Sequence, residues 1–95
     1  MTEPTRDERR EIHYSGWVQG VGFRYTARRI AERYNVAGYV RNLRDGRVQL
    51  VVEAAAEVVD EFAAEIAETM MRYIKSVEAK TSEATGEFDR FEIRL

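Results

Sequence analysis

Hydrophobic positions along the 95-residue chain follow two periods, and the switches between them divide it into elements. Residues 12–18 are rich in β-branched and aromatic side chains and run into a glycine-containing stretch, which predicts a strand. From Arg24 to Tyr34 the apolar residues Ala27, Ile30, Ala31 and Tyr34 stand at i, i+3, i+4 and i+7, so one helix face can bury them. Residues 36–43 and 47–53 read as two strands. Between them stands Arg44-Asp45-Gly46, whose Asp-Gly step suits the left-handed backbone of a tight hairpin turn. Val48, Leu50 and Val52 alternate with Gln49, Val51 and Glu53, so one face of that strand is core. Helical spacing returns with Val59, Phe62, Ala63, Ile66 and Met70. Glu57, Asp60 and Glu61 crowd the expected first turn, where negative charge meets the positive end of the helix dipole. Residues 73–81 have mixed β character, and Phe91, Ile93 and Leu95 alternate with charged residues.

The resulting order is β-α-β-β-α-β-β. Two helices on one face of an antiparallel sheet bury both helical stripes, which predicts an α+β, ferredoxin-like sandwich with an extra edge strand at the end. Residues 1–11 are polar, of mixed charge, and hold the only proline, Pro4. They read as a solvated tail, leaving residues 12–95 as one domain.

Composition narrows the function. The mix of 44% hydrophobic and 34% charged residues is that of a soluble globular domain. No apolar run approaches the ~20 residues that cross a bilayer, and residues 1–12 lack the basic-then-apolar order of a secretory signal. A chain without cysteine has no thiolate nucleophile and no thiolate metal site. The expected location is cytoplasmic. The net charge of −2 hides an asymmetry: residues 13–52 hold seven arginines and two acids, a surplus of +5, so the remainder sums to −7. That field favours an anionic ligand in the first half, either nucleic acid or a small phosphate compound.

The chemistry concentrates in the segment GWVQGVGFR at 16–24, where glycines recur at 16, 20 and 22 between the first strand and the first helix. Glycine lets successive backbone N–H groups turn toward one point and form an anion-binding nest. A helix N-terminus follows, with unpaired N–H groups and a dipole pointing the same way. Arg24 then offers a planar fork of donors to phosphate oxygens. The plain alternative is a glycine-rich loop turning a tight corner. Other phosphate motifs fail: a dinucleotide fingerprint would need glycine at Tyr25, and no Gly-Lys-Ser/Thr of a P-loop occurs. RNA-binding relatives of this fold need stacking aromatics on a central strand, and RVQLVVE has none.

GWVQGVGFR, followed by GYVRN at 38–42 and DG at 45–46, resembles the acylphosphatase family, and the likeness runs from about His13 to Leu95. The resemblance implies a ferredoxin-like fold and hydrolysis of acyl phosphates to carboxylate and inorganic phosphate. It implies that Arg24 binds the phosphate with the backbone N–H groups of Gln19, Gly20, Val21, Gly22 and Phe23, and that Asn42 orients the attacking water. It implies no metal and no organic cofactor. The expected partner is a small acyl phosphate, with neither nucleic acid nor membrane, and the protein is expected to be monomeric. The chain departs from the family pattern at Trp17, Tyr39 and Ala54, and it has no proline in residues 70–74. Asn42 has a plain alternative too, as a strand-end residue tying down the hairpin. A non-enzymatic anion-sensing module on the same fold is the competing function. His13 reads as structural, and Ser15 and Thr26 lack any Asp-His partnership that would activate them.

Overall fold

A computed structural model describes residues 7–95. Five strands and two α-helices follow in the order expected: β1 (Asp7–Gly16), α1 (Phe23–Ala31), β2 (Ala37–Asn42), β3 (Val48–Ala55), α2 (Ala56–Thr69), a short 3₁₀ turn (Met71–Tyr73), β4 (Ile74–Glu83) and β5 (Phe91–Arg94). The strands form one sheet in the order β4-β1-β3-β2-β5. Both helices pack on the same face. Phe62 of α2 meets Phe91 of β5 edge-on at 5.4 Å and Tyr34 at 5.8 Å, while Tyr14 of β1 meets Phe23 of α1 at 4.8 Å. β3 lies inside the sheet, and every residue from Val48 to Ala54 is buried.

Four features refine the sequence reading. The strand β1 begins at Asp7, so residues 7–11 belong to the sheet and not to a tail; residues 1–6 lie outside the described residues. Their charges read as solvated because most of the partners are distant along the chain: Arg10 reaches Glu8 and Asp60 of α2, and Arg9 reaches Glu53 of β3. Pairing with β3 on one side and β4 on the other then satisfies the backbone of residues 8–11. Second, the sheet is antiparallel except for β5, which joins β2 in parallel. β4 and β5 sit at opposite edges, so residues 84–90 must carry the chain across the sheet before β5 starts. They cross at the end where β1 and β2 begin, and β5 therefore runs alongside β2.

The hairpin turn is the third feature. Leu43 N–H donates to the Arg47 carbonyl at 2.8 Å, and Gly46 N–H to the Leu43 carbonyl at 3.2 Å. Only Gly46 takes a left-handed angle (φ +97°), so the loop is a three-residue turn closed by a glycine bulge, with Asp45 in an ordinary conformation. The Asp45 carboxylate accepts from the Arg47 backbone N–H and guanidinium, which holds it below its usual carboxyl range. Last, α2 starts directly after β3 at Ala56, without a side-chain cap. Glu57 alone occupies its first turn, and Asp60 lies a turn further on, facing Arg10. Among the described residues, no helix is long and apolar enough to cross a membrane.

Candidate active site

The segment between β1 and α1 leaves the core and returns to it. Val18 and Phe23 are both almost fully buried and pin its two ends, while Gly20 and Gly22 between them take left-handed angles of φ +79° and +77°. Those angles strain any residue with a Cβ, and here they turn the backbone through the short span available. Gly22 is also the residue that opens α1, and no side chain caps the helix there. Among the described residues, no protein group accepts a hydrogen bond from the backbone N–H groups of Gln19, Gly20, Val21, Gly22 or Phe23. The positive end of α1 and a run of free donors therefore coincide.

Arg24 occupies the first turn of α1 and is half-buried. One guanidinium nitrogen lies 3.5 Å from the Arg94 carbonyl at the end of β5, and no carboxylate among the described residues pairs with it. Asn42 ends β2. Gly20, Gly22, Phe23, Arg24 and Asn42 line a single cavity of about 210 Å³, whose remaining wall is largely apolar: Val18, Tyr25, Ile93 and Leu95. Three separate elements thus meet at one end of the sheet, where β1, β2 and β5 finish and β3 begins.

Two residues singled out with the loop do not line that cavity. Val21 is half-buried and packs against the core. Gln19 turns its side chain toward the hairpin, where Nε2 donates to the Leu43 carbonyl at 2.7 Å and the Arg47 carbonyl at 3.0 Å. This bears on Asn42. If Asn42 were there to tie down the hairpin, its amide would hold hairpin backbone. Gln19 makes that tie instead, and among the described residues nothing hydrogen-bonds the Asn42 side chain.

Reasoning from sequence missed the second half of the cavity. Ile93, Leu95 and the Arg94 carbonyl come together with the loop only because β5 docks beside β2. The one local signal was the alternation of Phe91, Ile93 and Leu95, which marks a strand and not its neighbours. The residues at the departures from the family pattern lie elsewhere. The Trp17 side chain is exposed, and its backbone N–H donates to the Tyr73 carbonyl. Tyr39 is buried on the helix-free face beneath Phe88 and the Arg94 guanidinium, and Ala54 is core. His13 stands on the same helix-free face, 3.5 Å from Glu11, and is not part of the cavity.

Comparison with known proteins identifies the family and the fold. The family model described as Acylphosphatase matches residues 10–93. An acylphosphatase of Rubrobacter xylanophilus is 40% identical over 95 residues, covering 99% of this chain and 86% of the relative. One from Archaeoglobus fulgidus is 38% identical over 84 residues, covering 87% and 93%. The crystal structure of acylphosphatase from Bacillus subtilis superimposes with a TM-score of 0.83 at 27% identity, over 93% of this chain and 99% of that one. With the fold, the loop and this likeness along nearly the whole described chain, the protein belongs to the acylphosphatase family of hydrolases.

Proposed function

We propose that the cavity is the site of acyl phosphate hydrolysis, with Arg24 and the loop N–H groups holding the phosphate and Asn42 orienting the attacking water. The observation that carries this reading is that, among the described residues, a guanidinium without a carboxylate partner, the free backbone donors of Gly20, Gly22 and Phe23 and an uncommitted carboxamide meet around one cavity. The loop N–H groups from Gln19 to Phe23 and the Arg24 fork together offer more donors than a phosphate dianion has oxygens to fill.

Such a group set suffices for this substrate. The anhydride already has a good leaving group, and phosphoryl transfer through a loose transition state asks chiefly for positioning and charge stabilisation. Water attacks phosphorus, the P–O bond to the acyl group breaks, and the carboxylate departs with that electron pair. Asn42 accepts or donates a hydrogen bond but is not basic, so the proton of the attacking water passes to a phosphate oxygen of the substrate. No side chain in the scheme has to titrate near neutrality.

Incubating the purified protein with benzoyl phosphate and following release of benzoate and inorganic phosphate tests the reading. Turnover lowered by roughly 10²-fold or more in Arg24→Lys supports it. An anion-sensing module would instead bind inorganic phosphate and leave benzoyl phosphate intact, which would overturn it.

A further inference from the structure

Gln19 has a use for its side chain that phosphate binding through its backbone does not explain. The residue begins the donor run of the loop, yet its carboxamide points away from the cavity and into the neck of the β2–β3 hairpin. Both of its hydrogens are used there, at 2.7 Å to the Leu43 carbonyl and 3.0 Å to the Arg47 carbonyl. Two carbonyl oxygens can be met only by an N–H₂ group, which fixes which end of the amide faces them. Leu43 follows Asn42 directly, and Arg47 precedes Val48, the ladder partner of Asn42. The amide therefore grips both strands one residue beyond the last pair of the ladder, beside the residue read as orienting water.

We propose that the Gln19 side chain is a positioning residue, a staple that sets the distance between the phosphate-holding loop and Asn42. The inference rests on the assignment of Asn42 to the attacking water. Without the staple, loop and hairpin share only packing at this point, since no other hydrogen bond joins residues 17–22 to residues 42–47 among the described residues. Phosphate would still be held by Arg24 and the loop. The water would lose its fixed angle of approach, and displacement of a reacting group by about an ångström lowers rate by up to roughly a hundredfold.

A double-mutant cycle on kcat, with inorganic phosphate as a competitive probe of the loop, tests the staple. Gln19→Met keeps the length of the side chain and removes both donors. It should lower kcat roughly ten- to a hundredfold while the inhibition constant for phosphate stays nearly unchanged. In an Asn42→Ala background the same change should have little further effect, because nothing is left to position. Additive losses would overturn the proposal, as would a loss of phosphate binding equal to the loss of kcat, which would mean that the side chain shapes the loop. If Gln19→Met proves too unstable to assay, Gln19→Glu replaces it. As a carboxylate it opposes two carbonyls; protonated, it regains one donor, so its kcat relative to the parent protein should rise as pH falls. A ratio flat with pH overturns the staple. Failure of the parent protein to turn over benzoyl phosphate is a separate result, which sinks the hydrolytic reading itself.

Discussion

The two ends of the sheet hold short loops of similar backbone chemistry and opposite fate. At one end, Gly20 and Gly22 take left-handed angles and the N–H groups around them have no protein acceptor among the described residues. At the other, Gly86 is left-handed too (φ +73°), but the carboxylate of Glu53 fills the turn. It accepts from Thr85 N–H and hydroxyl at 2.9 Å each, from Gly86 N–H at 3.0 Å and from Arg9 at 3.1 Å. Burial alone would raise the Glu53 carboxyl, but these donors outweigh it and hold it below the usual range. One loop is closed by the protein's own anion and fastens the crossing segment that leads to β5. Its counterpart, on the reading above, keeps the same kind of donors for the phosphate of a substrate. What separates a structural clasp from a binding site here is whether the chain supplies the anion.

Substitutions that break one end and spare the other sharpen this contrast. The largest effect is expected from Arg24→Lys, because a point charge cannot replace a planar fork. It should lower kcat/KM by roughly 10²–10³ or more, about 3–4 kcal/mol, and abolish inhibition by phosphate, with the melting temperature nearly unchanged. Asn42→Ala should come next: kcat falls sharply while phosphate still inhibits with nearly its original constant. A thermal melt run beside that assay must show a folded protein; a mutant that melts far below the parent yet keeps its rate would return Asn42 to a purely structural role.

Glu53→Gln breaks the other end. The donors of Thr85, Gly86 and Arg9 around this buried side chain lose part of their acceptor, so stability should fall by about 1–3 kcal/mol in denaturant titrations. Its pH dependence has a definite sign. The folded carboxyl lies below its ordinary range, so its contribution is present above the unfolded value of about 4.3 and is lost as pH falls through the lower folded value. The gap between parent and Glu53→Gln should accordingly narrow in acid. A gap that widens there would mean that the carboxyl is neutral in the fold. Smallest of all is His13→Gln on the helix-free face, where both activity and stability should change by no more than about 0.5 kcal/mol. A folded but inactive His13→Gln would demand a histidine base in place of the water-orienting scheme.

Much of this was legible from local pattern. Helical spacing at Ala27, Ile30 and Ala31 and at Val59, Phe62 and Ile66 marks stripes that must be buried, and all six residues are buried. Glycines at 20 and 22 signal a backbone that other residues resist, and both take positive φ. These are properties of a few neighbouring residues, so a linear sequence carries them. Charged strand residues were harder. Arg9 and Arg10 look like a solvated tail until Glu53 and Asp60, more than forty residues away, are brought beside them. The parallel docking of β5 depends on the end of the sheet at which the 84–90 crossing runs, where Glu53, some thirty residues away, accepts from Thr85 and Gly86. By itself the sequence determined the elements, the helical faces and the donor-rich loop, because propensity and period act over a turn or two. Only the tertiary structure decided that Arg24, Asn42 and the end of β5 share one cavity, and that the Gln19 amide meets the hairpin carbonyls, because such contacts between elements distant along the chain are set by the packing of the whole sheet.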